Sequence, residues 1–234
     1  GDALLNSEYS RSGPDLFLET PDGQLILVTN YFAQEIPPDL FTLAGSRITA
    51  DVAAKLAGPR APGQVAQNGD ISTLEEPIGT VDTSKGVITV IRADGTQVTL
   101  TEGDPLYQGD TLVSGADSAI GIIFADKSTM SMAANARIIL DELVYDPQDT
   151  ASNSQVFNVI QGAFMFTSGA IGKSDPEDVS VNTPVATIGI RGTKFGVNVN
   201  ALDGSTNVTI FEGAVFVQNG AGSVLLTGIG ETTL

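Results

Sequence analysis

The chain has 234 residues, 28 of them acidic against 11 basic, and its formal charge is −17. Without cysteine or histidine it cannot form disulfides or cysteine-ligated zinc, and it lacks the commonest general base and transition-metal ligand. A surface this acidic has no concentrated basic stripe for nucleic-acid phosphates and is disfavoured at anionic membranes. Hydrophobic residues make up 41%, aromatics only 6%, and there are 26 glycines and no tryptophan. A core built from Val, Ile, Leu and Ala between many glycine-bearing turns is the expected result.

In chain order, Leu16–Leu18 and Leu25–Val28 are short apolar runs around Thr20-Pro21-Asp22-Gly23, which predicts a β-hairpin. Pro37-Pro38 breaks the chain, and residues 51–56 read as one or two helical turns stopped by Gly58-Pro59. Residues 58–80 are rich in Gly, Pro and polar residues with no period, so a boundary is expected near 70–80. The chain is expected to divide into 1–75, a hairpin and short-helix subdomain with a linker, and 76–234, an all-β domain. The opening residues form no signal peptide, since a basic and then an apolar region are missing, and the sequence reads as part of a longer protein. No apolar run approaches the roughly 18 residues of a membrane-spanning helix, so no membrane insertion is expected.

From residue 81 the hydrophobic period is two. Val98 with Leu100, Ile120 with Ile122 and Phe124, Met130 with Met132, Phe164 with Phe166, and Phe195 with Val197 and Val199 each share a face. Runs of about four to seven residues end at Gly, Asp or Asn, predicting at least about ten short strands and no helix. The expected fold is all-β, a compact β-solenoid or β-roll, or a sandwich of short strands, with the small hairpin-containing subdomain at the N-terminus.

Residues 86–145 carry Gly103-Asp104, Gly109-Asp110 and Ser114-Gly115 turns, then an apolar strand and an Asp126-Lys127-Ser128 turn. Residues 181–195 read Val-Asn-Thr-Pro-Val-Ala-Thr-Ile-Gly-Ile-Arg-Gly-Thr-Lys-Phe, followed at 211–215 by Phe-Glu-Gly-Ala-Val. Together these resemble a FecR-type domain over about 150 residues, from 80 to about 232, with the Arg-Gly-Thr element the more specific part. The resemblance marks Pro184, Arg191, Gly192, Thr193, Phe195, Glu212 and Gly213 as its structural motif. Arg191 follows an apolar stretch, and the expectation is that it is buried and staples neighbouring chains to carbonyls or a carboxylate. The alternatives are an arginine that reaches solvent and one that binds a ligand.

In the family, the domain is periplasmic and passes a signal from an outer-membrane transporter to a sigma factor. The segments that bind the sigma factor and cross the membrane do not occur in this sequence. The leading expectation is therefore a non-catalytic structural or protein-interaction module of an exported, adhesin-like cell-surface protein of a Gram-negative bacterium. Its partner would be protein, including a second copy bound through strand edges or a solenoid end. The alternative is a periplasmic FecR-like sensor domain in signalling to a sigma factor.

Residues 169–174 approach a phosphate-binding loop, but Thr167 stands where the motif needs Gly, and an acidic segment follows. The carboxylate pairs Asp141-Glu142 and Glu75-Glu76 lack an aromatic platform and read as solvated faces. No cofactor is expected. Calcium is the one ion considered, at Asp146, Asp149 and Asn153 or at Asp175, Glu177 and Asp178, and ordinary loop acids are the expected reading there.

Overall fold

The computed structural model describes residues 3–12, 14–34, 36–42, 45–58 and 76–233. A short helix, α1 (Ala3–Asn6), leads into an antiparallel sheet of β1 (Glu8–Ser12), β2 (Asp15–Glu19) and β3 (Leu25–Val28). The hairpin expected from the apolar runs is β2–β3, turned through Gly23 at φ 78°. The sequence reading assigns no strand to β1, whose outward residues are polar and which buries Tyr9. A two-stranded ribbon follows, β4 (Leu40–Phe41) and β5 (Arg47–Ile48), and then α2 (Ala50–Leu56). Thr49 caps α2 by accepting the Val52 N–H at 3.4 Å, which satisfies one of the free donors of its first turn. The expected connector falls largely on residues 59–75, outside the described residues.

The remaining strands form one 13-stranded sheet. They are β6 (Gly79–Lys85), β7 (Ile88–Ile91), β8 (Gln97–Thr99), β9 (Pro105–Leu106), β10 (Thr111–Ser114), β11 (Ala119–Phe124) and β12 (Thr129–Met132). After them come β13 (Arg137–Val144), β14 (Ser154–Thr167), a five-residue helix α3 (Ala170–Ser174), β15 (Val179–Asn182), β16 (Thr187–Val199), β17 (Thr206–Asn219) and β18 (Gly222–Leu226). The protein is mostly β, and the sheet stays open, with β18 at one end of its main path.

The solenoid is corrected by the pairing. A solenoid stacks its coils in parallel, whereas among the described residues only β14–β15 is parallel and every other pairing is antiparallel. The expectation of uniformly short strands also fails, since β14, β16 and β17 run for 14, 13 and 14 residues.

The first of these strands, β14, is bent, as the aromatic rings record. Phe157 and Phe166 both lie in β14, nine positions apart, which would separate them by about 30 Å along a straight strand. Their ring centroids are 5.9 Å apart. β14 therefore folds back on itself, and it contains Gly162 at φ 99° where the bend is needed. Its first half pairs with β13 and β15, its second half with β12 and β16. The core lies between the two halves: Phe124, Phe157, Phe166 and Phe195 stack in series at 4.9, 5.9 and 5.7 Å. Each of the four is almost completely buried.

A second buried cluster holds the N-terminal elements against the large sheet. Leu5, Leu16, Leu18, Tyr31, Ile48 and Val52 pack with Ile139 of β13 and Ile160 of β14. Polar contacts join the same surfaces: the Arg47 N–H donates to the Pro184 carbonyl at 3.0 Å, and Ser46 Oγ donates to the Asp203 carbonyl at 3.0 Å.

Candidate functional site

The Arg-Gly-Thr and Glu-Gly motifs form a single structural feature. β16 and β17 pair along their length, and their register shifts between Arg191 and Lys194 and again between Lys194 and Phe195. Gly192 sits at φ 57° and Gly213 at φ 81°. These are left-handed conformations that side chains with a Cβ rarely take. A Cβ on Gly213 would lie 2.4 Å from the Gly192 carbonyl oxygen, 2.9 Å from that of Arg191 and 2.8 Å from Thr193 Cγ2. The two glycine bends nest against each other, and no side chain fits between them.

Thr193 fixes the bend from inside. It is buried; its N–H donates to Ser168 Oγ at 2.9 Å, and its carbonyl accepts from the Ser168 N–H at 2.9 Å. Phe195, two residues on, points into the aromatic stack. Pro184 is buried at the turn between β15 and β16. The Thr183 N–H donates to the Ala186 carbonyl at 2.8 Å to close that turn. Glu212 is exposed and lies opposite Lys194.

Arg191 departs from expectation. It is exposed and makes no ion pair and no side-chain hydrogen bond among the described residues. The apolar run before it alternates in and out of the core, with Ile188 and Ile190 buried and Gly189 half-buried between them. Arg191 continues that alternation outwards, so it does not staple the chain.

A buried ion pair that the sequence reading did not identify secures the Gly-Asp turns. Asp110 is buried and pairs with Arg92 at 2.5 Å, and it accepts the Tyr107 N–H at 2.8 Å. Arg92 also donates to the Pro105 carbonyl at 3.2 Å and lies 5.0 Å from the Tyr107 ring centre. The sequence signal was the Gly109-Asp110 turn itself; its cation lies 18 residues upstream. The half-buried Asp104 of the first turn accepts the Thr101 N–H at 2.7 Å and its hydroxyl at 3.0 Å. The Thr101 N–H and then its hydroxyl hold that carboxyl below the ordinary aspartate range.

Within residues 169–174, where a plain loop is the sequence expectation, Ala170–Ser174 form the short helix α3. Its first turn already has an acceptor within the chain: the Ala170 N–H donates to the Asp126 carbonyl at 2.8 Å and the Ile171 N–H to Asp126 Oδ2 at 3.4 Å. A Cβ on Gly169 would fall 2.2 Å from the Ser128 nitrogen, so Gly169 serves this close packing. Asp126 accepts Ser128 Oγ–H at 2.6 Å, and Gln155 Nε2 donates to Ser128 Oγ at 2.9 Å.

The remaining candidates separate. Asp141 pairs with Lys55 of α2 and accepts Asn158 Nδ2 at 2.7 Å, whereas Glu142 accepts Ser154 Oγ. Glu75 lies outside the described residues. Asn153, Asp146, Asp149 and Asp175 accept local backbone N–H groups at 2.6–3.3 Å, as turn-capping side chains do. No three acidic side chains gather to hold a metal ion among the described residues.

Asp141 also begins a polar ladder that the sequence did not reveal. Asn182 Nδ2 donates to Asn158 Oδ1 at 3.2 Å, and Thr187 Oγ1 donates to Asn182 Oδ1 at 3.1 Å. The ladder crosses β13, β14, β15 and β16 along a groove of about 740 Å³ between the N-terminal elements and the sheet, which Arg47 and Ile48 also line.

Antiparallel strands bent at nested glycines, with a buried aspartate behind the first turns, define a mostly β domain with an open sheet. Residues 110–216 match the family model described as FecR protein, and the chain carries a FecR-type domain. That match overturns the leading functional expectation of an adhesin-like structural module, which rested on the sigma-binding and membrane-crossing segments not occurring in the sequence. It favours the sensor alternative. Two crystal structures of a candidate anti-sigma factor from Parabacteroides distasonis, at 1.65 Å and 2.50 Å resolution, are similar at 14% and 15% identity with TM-scores of 0.41 and 0.42. Each alignment covers 53% of this chain and 57% of the other, so the chain spans little more than half the length of those structures. No curated protein sequence matches. Among the described residues no helix is long and apolar enough to cross a membrane.

Proposed function

We propose that this chain is a FecR-like sensor domain, held in the periplasm, that binds protein partners and takes part in transmembrane signalling to a sigma factor without performing chemistry itself. The observation that supports this reading most is the FecR match over residues 110–216, which takes in Arg191–Phe195 and Glu212–Gly213. In physical terms the nested bend presents a rigid outer corner. Arg191, Lys194 and Glu212 are exposed on backbone held by Gly192 and Gly213. Phe211 lies next to them, 41% exposed and with its ring over Gly196. A preorganised corner with an aromatic residue and charged neighbours suits recognition of a protein surface. On this reading the sequence divides near residue 75, and the N-terminal elements dock on the sensor domain through Ile139 and Ile160.

The test is photo-crosslinking in the native bacterium from photoreactive residues placed at positions 191 and 194. Adducts with an outer-membrane transporter or with a regulator of a sigma factor are the expected result. A folded, exported protein that yields adducts only with itself, or none, contradicts the proposal.

A further inference from the structure

β3 is an unguarded strand edge. Its four residues, Leu25-Ile26-Leu27-Val28, include no charge and no proline, the usual devices that stop an edge from pairing with another chain. Leu25 is 60% exposed, Ile26 36% and Leu27 49%, so apolar side chains meet solvent on both faces of the strand. The opposite edge of the same sheet is different. There β1 packs against α2, and its Glu8 pairs with Arg137 of the large sheet at 3.0 Å. Among the described residues β3 has a ladder partner on one side only, β2.

The hydrogen-bond phase shows what the edge offers. The Thr20 N–H donates to the Gln24 carbonyl at 2.9 Å, which makes this pair a hydrogen-bonded rung. The register continues as Glu19 with Leu25, Leu18 with Ile26, and Phe17 with Leu27. Rungs alternate in an antiparallel ladder. Ile26 is therefore engaged with β2, and the N–H and C=O groups of Leu25 and Leu27 point away from the sheet. Charge defines the partner. Between Arg11 and Arg47 the sequence contains Asp15, Glu19, Asp22, Glu35 and Asp39 and no Lys or Arg. Glu19 is opposite Leu25, and Asp22 lies exposed in the turn just before β3. A second copy would bring two such acidic rims, and two chains of formal charge −17, together.

We propose that β3 is a docking edge for an extended segment of another protein, apolar at its centre and basic at its flanks, which adds to the β1–β2–β3 sheet as a further antiparallel strand. The edge lies outside residues 110–216 and does not depend on the signalling reading.

The experiment uses the intact protein at low ionic strength and two capped peptides, Lys-Val-Thr-Val-Thr-Val-Lys and its twin with Glu at both ends. The Lys-flanked peptide binds saturably, about tenfold or more tighter than the Glu-flanked one, and slows hydrogen exchange at the Leu25 and Leu27 amides. Leu27→Lys, and independently Leu25→Lys, weakens that binding about tenfold with an unchanged melting curve, because both side chains are solvent-exposed. Equal affinity for the two peptides, absence of saturable binding, or no protection at Leu25 and Leu27 overturns the proposal. So does a dimer in light scattering that Leu27→Lys abolishes, since the edge would then belong to a second copy.

Discussion

Gly213 stands so close to Gly192 that a Cβ on it would be 2.4 Å from the Gly192 carbonyl oxygen. The reverse is not true: a Cβ on Gly192 meets nothing within 4 Å. The two substitutions should therefore separate. Gly192→Ala bears only the left-handed backbone cost, about 1–2 kcal/mol. Gly213→Ala adds a collision with backbone and should cost about 2–4 kcal/mol. Denaturant unfolding of both variants measures the difference, and equal losses would show that the bends do not nest.

The buried pair behind the first turns makes a second prediction. Arg92→Met leaves Asp110 in the core without its cation, and removing one partner of a buried pair costs about 3–5 kcal/mol. The double variant Arg92→Met with Asp110→Asn should recover part of that loss. A single variant as stable as the parent would mean that solvent reaches Asp110.

Arg191 predicts the opposite behaviour. Exposed, with no partner among the described residues, it should tolerate Arg191→Met within about 0.5 kcal/mol. A loss of several kcal/mol in the melting curve would restore the staple expected from the sequence.

Acid sensitivity follows from the turn carboxylates. Asp104 is held below 3.8 by the Thr101 N–H and hydroxyl, Asp94 by the Thr96 N–H and hydroxyl, and Asp203 by the Ser205 hydroxyl and N–H. A depressed native pKa means that the unfolded chain binds protons first as pH falls, so stability rises with pH in that window. The contribution is complete above 3.8 and disappears as pH drops from there through the lower native values. Melting temperature measured against pH should fall below about pH 4, and Asp104→Asn should flatten that fall.

Much of the β reading was legible because alternation reports which face is buried. Met130 with Met132, Phe164 with Phe166, and Val215 with Val217 all point inwards as their spacing predicts. Val98 does not, since β8 ends at Thr99 and Val98 is left exposed while Leu100 is buried. The long strands were not legible. Gly162 and Gly213 read as turn signals between short strands, but each is a bend within one strand, and glycine marks both. The helix α3 was missed because Asp126, 45 residues before the Ile171 nitrogen it accepts, completes its first turn. The Lys55–Asp141 contact joins residues 86 apart, and local pattern does not report such pairs. At the motif, the sequence located the bend residues, but it took the register of β16 with β17 to turn Arg191 outwards.

The most direct measurement of the proposed signalling role is the transcriptome of the native bacterium after in-frame removal of residues 76–234, compared with the parent and with a strain carrying Phe166→Ala, which opens the aromatic stack. The account predicts that deletion alters one coherent set of transcripts under a single alternative sigma factor, and that Phe166→Ala shifts the same set. Unchanged transcripts in the deletion strain, with the truncated protein present and exported, would contradict it.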